Sequence, residues 1–186
     1  MKRLFDLVLV LILGIMLLVP LIIIALAVCV TSRGPVIYWS DRIGENNRLF
    51  KMPKFRSLIS ETPELATHLL EDPSKWQTPI GSFLRKSSLD ELPQLWSILL
   101  GVMSFVGPRP ALFNQKDLIE LRTKVGVHTL KPGLTGWAQV NGRDEVSIIQ
   151  KVKFDAEYLE RKSFIFDLYI LWLTVLRVMK SDGVSH

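Results

Sequence analysis

From Leu7 through Ser32 the chain carries no charged residue, reading LVLVLILGIMLLVPLIIIALAVCVTS, and Pro20 stands in the middle of the run. At ~1.5 Å rise per residue, a straight helix of roughly 25 residues crosses the ~30 Å hydrocarbon core of a bilayer, so this stretch reads as a membrane anchor. A cleaved signal peptide fits poorly, because the run is long for the apolar region of one and lacks a small-residue cleavage site. Pro20 changes the geometry of a simple span. It removes one backbone hydrogen bond and clashes with the carbonyl of Met16, which kinks the helix. Each arm then reaches only ~20 Å or ~15 Å at the helical rise. Basic residues flank both ends, Lys2 and Arg3 before and Arg33, Arg42, Arg48, Lys51, Lys54 and Arg56 after. The positive-inside tendency holds both flanks in the cytoplasm. Two readings stand: a proline-kinked span, and a bent helix that enters and leaves by the same leaflet.

The remainder of the chain, out of 186 residues in all, is long enough for one domain with a real core. Lys and Arg outnumber Asp and Glu by 23 to 18, a formal charge of +5, which favours anionic partners without naming one. The one cysteine, Cys29, lies in the apolar run, so the chain holds no disulfide framework and no cysteine-rich metal site. His68 and His128 have no metal-ligand spacing.

Two short strands, Val36 to Ser40 and Arg48 to Lys51, are predicted around a turn rich in Gly and Asn, with Pro53 placing the second at a sheet edge or ending it. Residues 60–80, with Pro63, Pro73 and Pro79, read as a loop carrying one short helix over Glu64 to Leu70. Helical spacing of Leu92, Leu95, Trp96 and Leu99 predicts a helix that Gly101 ends. FVGPRPAL, residues 105–112, reads as an extended turn in which two prolines fix Arg109. KPGLTGWAQVNGR, residues 131–143, is glycine-rich and reads as a loop or tight hairpin. Leu112 to Lys124 and Val146 to Lys162 suit amphipathic helices. The last segment, FIFDLYILWLTVLRVMK, sets Asp167, Thr174 and Arg177 on one face; too short to span, it suits a membrane interface or the core. The expected fold class is α+β and mostly helical.

The chemistry concentrates at SSLDELPQL, residues 87–95. Proline fits only the first turn of a helix, so Pro93 implies a start near Leu89 to Asp90. With Asp90 at the cap, its carboxylate faces free N–H groups and the positive pole, which is expected to lower its pKa. Such a carboxylate can bind Mg²⁺ or attack phosphorus. Taken alone it can equally be a structural cap, and Ser88 with Glu91 can form a capping box. Nearby cations favour a site: Arg85 and Lys86 precede the acids, Lys54 and Arg56 come after the hairpin, Arg143 ends the glycine-rich loop, and rigid backbone holding Arg109 suits bidentate recognition of phosphate.

KRLFD at the N-terminus, the proline-containing apolar run, KFRS, SSLDELPQL, MSFVGPRP, KPGLTGWAQVNGR and FDLYILWLT occur in that order. Together they resemble the monotopic phosphoglycosyl transferases, or bacterial sugar transferases, over Lys2 to about Lys180. The likeness is to small members consisting of the catalytic domain alone, such as the bacillosamine-phosphate transferase of bacterial N-glycosylation. The resemblance implies transfer of a phosphosugar from a UDP-sugar to undecaprenyl phosphate, with release of UMP. It places the family's acid dyad on Asp90 and Glu91, with Asp90 as the nucleophile that forms an aspartyl phosphosugar and both acids as ligands of Mg²⁺. Arg109 is then expected to bind nucleotide or phosphate, Arg85 with Lys54 or Arg56 to stabilise phosphoryl charge, and Gln139, Asn141 and Arg143 to line or brace the site. Asp155 and Asp167 also match family acids, with a structural role at least as fitting.

The same resemblance implies a re-entrant helix bent at Pro20 (residues 1–32), a catalytic domain (residues 33–186) with interfacial helices at the cytoplasmic face of a bacterial inner membrane, contact with membrane lipid, and no nucleic-acid partner. A homodimer stays open, and the short chain favours an N-acetylated or amino-modified deoxy sugar over glucose or galactose. Three departures from the family pattern are Val19 where serine is frequent, Val102 where an acid is usual, and Leu58 with Pro53 in KMPKFRSL. With Val19 there, the kink must be stabilised by something other than a serine hydroxyl. Two other classes compete, a membrane-anchored assembly protein without catalysis and a phosphohydrolase using the same acids.

Overall fold

The computed structural model describes residues 1–59, 62, 73–142 and 146–180. The expected helix over Glu64 to Leu70, and Arg143, lie outside the described residues. The architecture is mostly helical with a small sheet, α+β as expected.

The apolar run folds as two helices, α1 (Lys2–Met16) and α2 (Leu18–Thr31), bent by 64° at Leu17. Pro20 sits in the first turn of α2, where its missing N–H leaves the ladder interrupted at Met16 while Leu17 N–H still donates to Leu13 O (2.8 Å) and Leu21 N–H to Leu17 O (2.8 Å). Among the described residues no single helix is long and apolar enough to cross a membrane. Each arm docks on a different core. Val10, with Leu9, Leu13 and Leu17, packs against Leu95, Ile98, Phe105 and Ile170. Ile24 and Val28 pack against Phe55 and Leu84. Two separate buried stripes therefore hold the bend, which is how Val19 is tolerated beside Pro20. Ile15 and Met16, beside the break, are among the most exposed apolar residues, 78% and 70%.

Both ends of the pair are fastened to the same body. Lys2 donates to Val106 O (2.9 Å), Tyr158 Oη (3.1 Å) and Asp167 Oδ2 (2.6 Å). Arg3 donates to Ile98 O and Leu99 O in the last turn of the helix that ends at Gly101, sharing Ile98 O with the Gly101 N–H. Asp6, buried in α1, accepts the Phe105 N–H (3.3 Å). At the far end Arg56 donates to Ser32 O and Oγ, each 2.8 Å.

β1 (Ile37–Ile43) and β2 (Leu49–Phe55) form the expected hairpin, longer than predicted, with Trp39 opposite Pro53. The strand order is β2-β1-β4, the last being Ala111–Leu112, so Pro53 lies inside an edge strand instead of ending it. After α3 (Gly81–Lys86), a 3-10 segment, Leu89–Gln94, leads into α4 (Leu95–Leu100). β3 (Ser104–Val106) and β4 (Ala111–Leu112) flank Gly107 to Pro110, so the FVGPRPAL stretch is strand at both ends and irregular only between.

Downstream of α5 (Lys116–Lys124), the expected loop at 131–143 is instead β5 (Gly133–Thr135), parallel to β3, followed by helix α6 (Trp137–Gly142). Its glycines serve a close backbone crossing: a Cβ on Gly133 would lie 2.1 Å from Gly107 N, and one on Gly136 2.1 Å from Gly107 O. α7 (Ile148–Arg161) and α8 (Phe164–Lys180) match their predicted spans closely. In α8 Asp167 turns inward to Lys2 and Thr174 to Thr135 (2.7 Å), beside buried Phe166 and Ile170, while Ile165, Leu168, Trp172 and Val175 are exposed.

Candidate active site

The two acids stand on the 3-10 segment, not at the cap of a long helix. Ser88 is the N-cap residue, in a left-handed conformation (φ 57°), and Asp90 and Glu91 lie in the first turn with Pro93 behind them. β2 packs over this turn and brings Lys54 down on it. The carboxylate of Glu91 is held on one oxygen by two cations: Lys54 Nζ at 2.7 Å and Arg109 Nη2 at 2.9 Å from Oε1. Although burial is the largest influence and works upward, Arg109 and Lys54 hold Glu91 well below the usual carboxylate range.

Asp90 behaves in the opposite way. It is buried, 7% exposed, and accepts no hydrogen bond from any described residue. Burial raises its pKa above the usual carboxylate value; Lys54 opposes that, the charge of Glu91 adds to it, and Arg85 and Arg109 oppose it from farther down the order of influence. The lowered pKa expected from a helix N-terminus is thus corrected. A turn this short offers little aligned backbone, and loss of water outweighs it.

Arg109 is pinned from behind. Arg122 of α5 donates Nη1 to the Arg109 carbonyl (2.8 Å) and both Nε (2.9 Å) and Nη2 (2.6 Å) to Asp155 Oδ2 on α7. Asp155 is 1% exposed, and burial raises its carboxyl against the pull of Arg122. Sequence reasoning passed over Arg122. The available signal was a charge four residues from Leu118 on the buried stripe of an amphipathic helix. The Gly107–Pro108 backbone is braced as well: Gly107 N–H donates to Thr135 O and Gly133 N–H to Pro108 O, each 2.9 Å.

Of the residues expected to bind substrate, Lys54, Arg85 and Arg109 gather around the dyad. Arg56 turns away to the end of α2. Gln139 donates to Leu134 O (3.1 Å) beneath the glycine crossing and braces the strand that supports the Arg109 loop, whereas Asn141 donates to Trp137 O (2.8 Å) within α6. Among the described residues no cluster of three or more His, Cys, Asp or Glu side chains is placed to hold a metal ion. Asp90 and Glu91 offer two carboxylates, a set that suits Mg²⁺ only when substrate phosphate oxygens complete the coordination.

The family model for bacterial sugar transferases matches residues 1–181 of this chain. The chain belongs to that family. The UDP-galactose-lipid carrier transferase of Erwinia amylovora is 39% identical over 199 residues, 98% of this chain and 41% of that protein. The UDP-glucose:undecaprenyl-phosphate glucose-1-phosphate transferase of Escherichia coli is 40% identical over 185 residues, 95% of this chain and 40% of that protein. The exopolysaccharide production protein ExoY of Rhizobium meliloti is 38% identical and is covered over 87% of its length. The chain thus spans about two fifths of the first two bacterial sugar transferase relatives and most of the third. Two of these relatives' names specify galactose and glucose.

Proposed function

We propose that this protein is a polyprenol-phosphate sugar-1-phosphate transferase that moves a phosphosugar from a UDP-sugar to undecaprenyl phosphate through an enzyme-bound intermediate on Asp90. The observation that carries the reading is the division of labour in the dyad. Glu91 is held on Oε1 by Lys54 and Arg109, whereas its neighbour Asp90 is buried, accepts no hydrogen bond from a described residue and is ringed by the same cations plus Arg85. A desolvated carboxylate without hydrogen bonds is a better nucleophile than a solvated one, and the surrounding cations offset the charge of an incoming diphosphate.

In the first half-reaction an Asp90 carboxylate oxygen bonds to the β-phosphorus as the bond from that phosphorus to the bridging oxygen breaks, releasing UMP. In the second, an oxygen of the acceptor phosphate attacks the same phosphorus and the carboxylate leaves, giving the lipid diphosphate sugar. Asp90 and Glu91 would hold Mg²⁺ together with the diphosphate, and the ion would supply neutralising positive charge at the phosphoryl oxygens. Arg109, fixed by Arg122 behind it, presents a rigid planar fork to phosphate.

The contacts at the two ends of the bent pair support its placement at the membrane. The pair enters and leaves by one leaflet, with its break deepest, because Lys2, Arg3 and Ser32 at its two ends bond to one body. The exposed apolar face of α8 lies at the interface beside it. On this reading the dyad lies on the cytoplasmic side, where UDP-sugars occur.

Mass spectrometry of the full chain quenched after incubation with Mg²⁺ and one UDP-sugar at a time, beginning with UDP-glucose and UDP-galactose, tests the reading. A sugar phosphate adduct on the peptide bearing Asp90, discharged by undecaprenyl phosphate, is the expected result. Turnover to UMP without any adduct across the panel overturns the covalent route. Phosphate release to water without need of the lipid favours a phosphohydrolase instead.

A further inference from the structure

A groove of about 470 Å³ runs between the bent helix pair and the hairpin. Gly14 of α1, Leu21 of α2, Trp39 of β1, Pro53 of β2, and Pro93 and Trp96 beyond the dyad line it. Its size is that of a ligand pocket. Apart from two indole N–H groups its side chains carry no polar atom, so a sugar, a uracil or a phosphate finds no set of partners within it. What distinguishes it from a greasy surface is where it ends. Leu92 and Pro93 in its wall come directly after Glu91, and Pro53 directly precedes Lys54, whose ammonium lies 2.7 Å from Glu91. On two separate elements, therefore, the apolar wall passes into the cation cluster within a residue or two.

We propose that this groove is the binding site for the first isoprene units of the polyprenyl acceptor, with the chain held between α1 and the hairpin and its phosphate delivered to Asp90. The inference rests on the transferase reading and adds to it the place where the lipid chain lies. One apolar chain ending in a phosphate matches both the lining and the terminus. A diacyl phospholipid seated there would instead put its headgroup in the path of the reacting diphosphate. Gly14 fits this use. A Cβ built on it meets nothing within 4 Å, so no close packing calls for glycine in the middle of α1, and the missing side chain leaves room in the groove.

The test has a binding arm and a kinetic arm. In nanodiscs of phosphatidylethanolamine and phosphatidylglycerol, an undecaprenyl phosphate analogue carrying a diazirine in its second isoprene unit labels the segments around Gly14, Trp39 and Trp96, and unmodified undecaprenyl phosphate competes. Labelling that coincides with that of a diazirine phospholipid and resists this competitor overturns the assignment. The binding arm needs no turnover, so its failure and failure of the transferase reading are separable. In the kinetic arm Gly14→Leu, which fills the groove, raises the KM for undecaprenyl phosphate about tenfold with kcat nearly unchanged. Trp96→Ala, at a side chain 52% exposed, gives the same split from the opposite wall. An unchanged KM in both variants, or a loss confined to kcat, removes the groove from acceptor binding.

Discussion

Asp90 and Asp155 are both buried carboxyls, both raised by burial and both attended by arginine, yet they sit in opposite electrostatic situations. Asp155 accepts two hydrogen bonds from one guanidinium at 2.9 and 2.6 Å, and the remaining Nη1 of Arg122 is used on the carbonyl of Arg109. That pair is complete and joins α5 to α7. Asp90 has cations near it but no bond from them, because Lys54 and Arg109 are engaged by Glu91. A buried charge that is fully paired specifies geometry, whereas one left without hydrogen bonds is held in a state that costs stability and is relieved by a ligand. Under the proposed transferase reading, the difference leaves Asp155 and Arg122 to hold the Arg109 loop and gives Asp90 the part in the reaction.

The largest effect expected from this distinction is at Asp90. Asp90→Asn keeps the shape and removes the proposed nucleophile, so turnover falls by about a thousandfold or more while the melting temperature in nanodiscs holds or rises. A marked fall in melting temperature would show that the carboxylate is satisfied in the fold and would place it with Asp155. Asp155→Asn does the reverse. It leaves the Arg122 guanidinium buried without its counter-charge and costs about 3 kcal/mol of stability, as removal of one partner of a buried pair does. Turnover drops more modestly, by roughly tenfold, because Arg122 no longer fixes the Arg109 carbonyl firmly. Loss of activity at full stability would move Asp155 into the reaction.

These assignments differ in how far the chain announced them. The bend was legible because Pro20 acts locally, through its own missing N–H and ring. The hairpin was legible in its turn, where Asn46 and Asn47 adopt positive φ (55° and 57°), but not in its length, since an edge strand accommodates Pro53. The dyad, Lys54, Arg85 and Arg109 were legible as a set through ordered motifs. Three things were not. The β3–β5 pair joins Ser104 to Gly133 through strands of three residues, too short for any alternation to register, and its glycines mimic a loop because close backbone approach and a turn demand the same residue. Arg56 shares KFRS with Lys54 yet turns to Ser32, because α2 ends beside it, which only tertiary structure decides. The sign of the Asp90 shift depends on β2 closing over the turn, and local sequence reports the helix start without reporting the burial.

The smallest effect expected is a displacement of the pH profile, and it separates the two aspartates a third time. If Asp90 attacks as the carboxylate, the rate of UMP release in a single turnover with donor alone falls as pH drops through its folded pKa. That pKa lies above the usual carboxylate range, so the acid limb lies there too. Lys54 is the chief influence lowering that pKa, so Lys54→Gln moves the limb to higher pH. The charge of Glu91 raises it, so the slow residual reaction of Glu91→Gln has its limb at lower pH, further helped by release of Lys54 and Arg109. Lys151 acts on Asp155 and does not figure among the charges felt by Asp90, so Lys151→Gln leaves the limb in place. A limb that moves with Lys151 and ignores Lys54 would mean that protonation of the structural pair limits the rate, and the roles given to the two aspartates would have to be exchanged.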